Sequence, residues 1–177
     1  VVLDAGAGQV HFLDVGTTDA KLVASVPLAG ATRLRLSVDG AWAYVLGDGA
    51  LSTIALTGDG GPAVVHTTKV QTPGKVAGVA LAGKTLVIAG ATWLQVFALD
   101  EPETTAPYAK VLLAPEVAAV GPIAADLSPD GQKLALLTAN NAITFYSLAS
   151  PGQPEQLATV PLLPGKRLPL VRDLRFD

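Results

Sequence analysis

An all-β chain of tandem four-stranded sheets is what the sequence predicts, on three observations. A Ser-x-Asp-Gly turn recurs, as Ser37-Val38-Asp39-Gly40 and Ser128-Pro129-Asp130-Gly131. Each turn precedes two short apolar runs, at 43–46 and 51–56 in one case and at 134–137 and 143–148 in the other. Two weaker copies complete the set. With the residue four before the turn glycine as anchor, the copies register at Leu36, Val79, Leu127 and Leu174, separated by 43, 48 and 47 residues. Four-stranded units of this length are the signature of β-propeller blades.

The N-terminal piece supplies strands at 1–4, 9–15 and 21–26. Copy two supplies 32–38, 41–46, 51–56 and 64–70. Copy three supplies 76–81, 85–89, 94–99 and 108–113, and copy four 123–127, 133–137, 142–148 and 156–160. A C-terminal piece adds one strand at 171–176. The runs are rich in Val, Leu, Ile and Thr, which suit a pleated surface, and Gly, Pro, Asn and Asp mark the breaks. Asp-Gly at Asp39-Gly40, Asp48-Gly49, Asp59-Gly60 and Asp130-Gly131 tolerates positive φ and closes tight hairpins, and Asn140-Asn141 does the same in copy four. No segment carries the period of a long amphipathic helix; 114–120 is short and flanked by Pro115 and Pro122. Ala and Gly on the first strands let neighbouring sheets crowd together there.

The chain thus reads as a single propeller domain or part of one over 1–177, in blade pieces 1–28, 30–72, 74–115, 117–165 and 170–177. It opens on a second strand and ends on a first strand. Either the last strand completes the N-terminal blade in a closed ring of four, or the chain is an arc of a ring of about six to eight blades. An arc leaves sheet edges that something must cover.

Half of the 177 residues are hydrophobic and 15% are charged, a globular rather than a disordered composition. No apolar run reaches the roughly 18 residues of a spanning helix, so no membrane span is predicted. The net charge is −3 with no dense basic run, which argues against nucleic acid as a partner. Cysteine is absent, which excludes disulfides and thiolate metal sites.

The stretch from Ser37 to Val45, with Ser52-Thr53-Ile54-Ala55-Leu56 after it, resembles a repeat of the YVTN-type bacterial β-propellers of the WD40-like superfamily. Ser128-Pro129-Asp130-Gly131-Gln132-Lys133-Leu134 is similar to the same turn and strand. Tyr44-Val45 continues into Leu46-Gly47 rather than Thr-Asn, and neither Trp42 nor Trp93 precedes an Asp, which disfavours the WD40 subclass. The resemblance implies a propeller fold and a periplasmic, cell-surface or secreted location over a cytoplasmic one. The family includes cell-envelope proteins, lactonase-like enzymes and cofactor-bearing enzymes, and fold analogy alone does not choose among them.

Gly78-Val79-Ala80-Leu81-Ala82-Gly83-Lys84-Thr85 matches the phosphate-loop pattern, yet its interior alternates like a strand and is followed by another strand. A hairpin turn at Gly83 is the expectation. His11 and His66 lie in strands of different copies with apolar neighbours, and no third ligand accompanies either, so no metal site is predicted. The turn aspartates lack the regular spacing of a calcium loop. No Gly-x-Ser-x-Gly elbow occurs, so no catalytic residues are assigned. No cofactor is predicted. Arg33 and Arg35 alternate with Leu34 and Leu36, giving a first strand one polar face where a propeller binds ligands in its channel.

Most aromatics are expected to pack between blades; the residues assigned to partner binding are Trp93, whose place beside a turn leaves exposure open to it, and the basic group Lys166, Arg167, Arg172 and Arg175, whose alternative is a solvated inter-blade loop. The leading functional expectation is a non-catalytic platform for a protein partner or for the rest of a longer polypeptide. The alternatives are a lactonase-like or cofactor-bearing propeller enzyme with its site at the channel mouth, and a cell-envelope or carbohydrate-binding module.

Overall fold

The computed structural model describes residues 1–16, 18–70, 75–101, 106–162 and 174–176. These residues form four antiparallel sheets, each a meander in which chain neighbours pair. The first sheet is β1 (Val2–Asp4), β2 (Gln9–Val15) and β3 (Ala20–Pro27). The second is β4 (Ala31–Leu36), β5 (Trp42–Gly47), β6 (Ala50–Ala55) and β7 (Ala63–Lys69). The third is β8 (Val76–Ala82), β9 (Thr85–Gly90), β10 (Trp93–Ala98) and β11 (Ala106–Leu112). A six-residue helix, α1 (Pro115–Val120), leads to the fourth: β12 (Pro122–Leu127), β13 (Lys133–Thr138), β14 (Ala142–Ser147) and β15 (Glu155–Pro161). The predicted strands fall on these elements within a residue or two at each end, apart from the C-terminal one.

The chain divides into two compact units, Val1–Gln71 with Glu101–Thr105, and Thr72–Asp100 with Ala106–Asp177. In the first unit, Val10, Phe12 and Val26 of the first sheet pack with Ala31, Ala43, Val45 and Ile54 of the second. In the second unit, Val87, Ala89, Leu94 and Val96 of the third sheet meet Leu127, Leu134, Leu136 and Tyr146 of the fourth. Val117 of α1 joins that cluster. Each fully buried leucine there contributes roughly 1.5–3 kcal/mol. β5, β9 and β13 are buried along nearly their whole length, which is why they read as continuous apolar runs instead of alternating ones.

One irregularity recurs in every sheet. The register shifts between the last two strands at Phe12/Leu13, Thr53/Ile54, Val96/Phe97 and Phe145/Tyr146. Aligning these bulges makes β2 the counterpart of the third strands β6, β10 and β14. The first sheet therefore holds a second, third and fourth strand, as its sequence predicts.

The recurring turn has one set of bonds in both copies. Ser37 Oγ donates to Asp39 Oδ1 at 2.5 Å and accepts the Trp42 N–H at 2.9 Å. Ser128 Oγ donates to Asp130 Oδ1 at 2.5 Å and accepts the Lys133 N–H at 2.9 Å. The Ala41 and Gln132 N–H groups complete the aspartates' coordination at 3.0 Å. Gly40 and Gly131 take φ of 69° and 70°, which a side chain rarely adopts. The serine hydroxyls, and then these amides, hold both carboxyls below the ordinary 3.8.

The unfolded chain binds more protons than the folded one in that range. The linked stability is present above pH 3.8 and lost as pH falls through the folded values. Acid unfolding followed by circular dichroism should show a shallower pH dependence in the Asp39→Asn, Asp130→Asn double variant than in the wild type. Ser128→Ala, at a residue only 8% exposed, should cost about 1–3 kcal/mol in urea unfolding.

Of the predicted hairpins, Asp48-Gly49 closes a two-residue loop with φ of 44° and 71°. Asp59-Gly60 differs: it lies in a longer β6–β7 loop held by the Gly61 N–H on the Gly58 carbonyl. The C-terminal strand predicted at 171–176 is corrected for its described part. Leu174, Arg175 and Phe176 form no ladder; the Phe176 N–H donates to Asp126 Oδ2 at 2.7 Å. Residues 171–173 lie outside the described residues.

Candidate functional site

The Gly83-Lys84-Thr85 stretch is a hairpin turn. Ala82 pairs with Thr85 across a two-residue loop, and Gly83 has a φ of 53°. Thr85 opens a strand, so no helix N-terminus is available for phosphate. Lys84 Nζ pairs with Asp100 Oδ1 at 2.9 Å, both side chains largely exposed. Lys84→Ala should therefore cost at most about 1 kcal/mol. Titration with ATP and magnesium should show the same absence of binding in wild type and variant.

Trp93 is fully buried in β10, so the expectation of an exposed tryptophan is corrected. Its indole lies over Gly90, whose missing Cβ leaves the room. Of the basic group, Arg175 is described and exposed, while Lys166, Arg167 and Arg172 lie outside the described residues. Leu174, Arg175 and Phe176 lie on the fourth sheet, where the Phe176 ring meets Phe145 edge-on at 6.5 Å. Together with Ala135, Ile143 and Phe145 they line an apolar cavity of about 190 Å³.

Arg33 and Arg35 are exposed on β4, the edge of the second sheet. Each guanidinium donates to the carbonyl of the residue before it, Arg33 to Thr32 at 3.0 Å and Arg35 to Leu34 at 3.1 Å. These bonds occupy backbone acceptors at the edge and leave the remaining guanidinium donors for an anion.

The two histidines stand in different sheets, His11 in the first and His66 in the second. His66 Nε2 is bonded to Thr68 Oγ1 at 2.8 Å, and His11 Nδ1 to Ser25 Oγ at 2.8 Å. The His11–Ser25 pair has nucleophile-to-base spacing, but among the described residues no carboxylate orients the other ring nitrogen. No group of three metal-ligating side chains occurs among the described residues.

One set of polar residues is invisible as a set until the bulges are aligned. Two positions before each bulge shift stand His11, Ser52, Gln95 and Thr144, opposite Ser25, Thr67, Lys110 and Thr159. Ser52 reaches Thr67 at 3.3 Å and Thr144 reaches Thr159 at 3.0 Å. Gln95 Oε1 is buried without a hydrogen-bond partner among the described residues. In the first, second and fourth sheets the set ties the third strand to the last strand.

No known protein family and no curated protein matches the chain. Solved structures do. A candidate 6-phosphogluconolactonase from Bacteroides uniformis aligns over 85% of this chain and 48% of its own, at 20% identity and a TM-score of 0.63. The periplasmic gluconolactonase PpgL of Pseudomonas aeruginosa aligns over 78% and 42%, at 22% identity and 0.62. A chain of the mitotic checkpoint complex aligns over 89% and 49%, at 16% identity and 0.66. The chain thus spans just under half the length of each. Identities this low carry the fold and no more: the chain is built as a β-propeller is built, from tandem antiparallel sheets that stack face on face within each unit.

Proposed function

We propose that the chain is a non-catalytic propeller platform that presents side chains to a protein partner. One observation carries the reading. The last strand of every sheet bears two large, exposed apolar residues: Leu22 and Val23, Val64 and Val65, Tyr108 and Leu112, Leu157 and Val160, from 40% to 76% exposed. Isolated exposed apolar residues are ordinary, but one member of each pair, Val23, Val65, Tyr108 or Leu157, stands at the bulge of its sheet, and a recurring exposed apolar side chain is of the kind that marks interaction sites. The bulge beside each last strand discourages addition of a further strand, so the partner meets side chains, not the ladder. The C-terminal basic residues Lys166, Arg167, Arg172 and Arg175 add charge for an acidic patch on that partner. One of the similar solved chains belongs to a multiprotein complex, and another similar protein is periplasmic, which supports an envelope location for this one.

A lactonase-like enzyme is the second reading, favoured by the paired Arg33 and Arg35 on an exposed first strand and by the two lactonases among the similar structures. Two assays separate the readings. Tyr108→Asp with Leu112→Asp should abolish cross-linking to the partner isolated from the native source and leave the melting temperature unchanged. Hydrolysis of gluconolactone by the wild type, lost in Arg33→Ala or Arg35→Ala, would overturn the platform and establish the enzyme.

A further inference from the structure

Asp-Gly pairs stand at Asp39-Gly40, Asp48-Gly49, Asp59-Gly60 and Asp130-Gly131, and the fold treats one of them differently. Such a pair is a junction at which a backbone can rearrange. Glycine has no side chain to shield its amide nitrogen, and that nitrogen is one ring closure away from the aspartyl Cγ. The reaction needs a protonated carboxyl, an amide free to attack, and a backbone able to turn the two together.

At Asp39-Gly40 and Asp130-Gly131 each need is opposed. The Gly40 N–H donates to the Ser37 carbonyl at 3.0 Å, and the Gly131 N–H to the Ser128 carbonyl at 2.7 Å. The serine hydroxyl, and then the amide two residues on, keep each carboxyl ionised to lower pH. Asp48-Gly49 is the whole of the loop between β5 and β6, with Gly47 paired to Ala50 across it. The Asp48 carboxyl lies against Gly30.

Asp59-Gly60 meets none of these restraints. Residues 57–61 are all exposed. A Cβ at Gly58, Gly60 or Gly61 would find open space, so nothing packs on the loop at those positions. The Gly61 N–H closes the turn on the Gly58 carbonyl at 3.1 Å. Among the described residues no hydrogen bond holds the Gly60 N–H or the Asp59 carboxyl. A glycine-rich loop tip of this kind opens at little cost.

We propose that Asp59 is a self-modification site, at which the Gly60 amide nitrogen attacks Asp59 Cγ and the residue passes through a succinimide to isoaspartate. The N–Cγ bond forms, the Cγ–OH bond breaks, and the hydroxyl leaves as water with the amide proton. One water then reopens the ring. Addition at Cγ restores Asp59. Addition at the main-chain carbonyl carbon routes the chain through Cβ and Cγ and frees the α-carboxylate. No oxidant or reductant enters. The product lengthens the backbone by one methylene group, for which the open loop has room. Its freed α-carboxylate is a substrate of the class that enzymes esterify with a methyl group from S-adenosylmethionine.

Ageing the folded protein at neutral pH tests this. Electron-transfer fragmentation of its peptides locates isoaspartate, and methyl incorporation from S-adenosylmethionine by an isoaspartyl methyltransferase counts it. Isoaspartate should accumulate at Asp59 at least about tenfold faster than at Asp39, Asp48 or Asp130, the factor that about 1.4 kcal/mol of extra local opening supplies. Asp59→Glu should remove most of the methyl incorporation and leave the circular dichroism spectrum and melting intact. In concentrated urea the four sites should react alike, because only the fold distinguishes them. Equal accumulation at the four sites of the folded protein, or faster accumulation at one of the other three, overturns the proposal. So does a wild type that takes up no more methyl than Asp59→Glu, or a preference for Asp59 that survives unfolding.

Discussion

Trp93→Ala is expected to destabilise the chain by about 3–5 kcal/mol, the usual cost of emptying a fully buried aromatic site. At roughly 2–4 °C per kcal/mol for a chain of this size, the melting temperature should fall by about 6–20 °C. The indole is fully enclosed in β10 and lies on the backbone of Gly90. A Cβ at Gly90 would collide with Cε2, Nε1 and Cζ2 of that ring. The two residues therefore fit one another, and a mutant cycle should reveal it. Gly90→Ala alone overpacks the site and should cost about 1–3 kcal/mol. In the Trp93→Ala background the added methyl enters vacated space, so its cost should largely disappear, giving a coupling of at least about 1 kcal/mol. Independent, additive costs would mean that the indole and Gly90 do not share the space. A Trp93→Ala variant that melts with the wild type would restore the tryptophan to the surface and to a role in binding.

The sequence places Trp93 beside a turn, and that position is right. What it does not convey is the hole. The signal was a glycine three residues before the tryptophan, at the end of a strand that otherwise reads Thr-Leu-Val-Ile-Ala. Elsewhere the chain was easier to read. The second strands β5, β9 and β13 are covered on both faces, so they appear as nearly unbroken apolar runs between turn residues. Ser37 and Asp39 repeat at Ser128 and Asp130 because a turn needs a hydroxyl and a carboxylate at those two places. The series His11, Ser52, Gln95 and Thr144 escaped notice because its members belong to different chemical classes. They are alike only in standing two residues before a bulge, and a bulge is a property of pairing that a single strand does not announce. At the C-terminus, alternation around Leu174 suggests a strand, but the Phe176 N–H is taken by the Asp126 carboxylate and the ring by Phe145. An amide committed to a carboxylate is withdrawn from a ladder. For the site, the sequence supplied Arg33 and Arg35 as a polar first-strand pair. The paired apolar residues of the last strands become a surface only when exposure is known.

Gly78→Val is expected to separate the third and fourth sheets at a place where their first strands approach closely. A Cβ at Gly78 would stand 2.8 Å from the Ala125 amide nitrogen and 3.0 Å from the Ala125 Cβ. The nearest atom is backbone, on a strand whose next residue, Asp126, pairs with Ala135 in the ladder. That backbone cannot swing aside as a flexible side chain would. Alanine at this position should cost about 1–3 kcal/mol. Valine, with two further methyl groups, should exceed that range and lower the cooperativity of urea unfolding, because the clash falls between two sheets and not inside one. The rescue is specific. Ala125→Gly removes the Cβ but not the amide nitrogen, so it should recover only part of the loss caused by Gly78→Ala. Full recovery would mean that side-chain crowding, and not backbone approach, sets the spacing of the sheets. No loss at all in Gly78→Val would mean that the first strands do not touch, and the face-on-face stacking of the third and fourth sheets would fail with it.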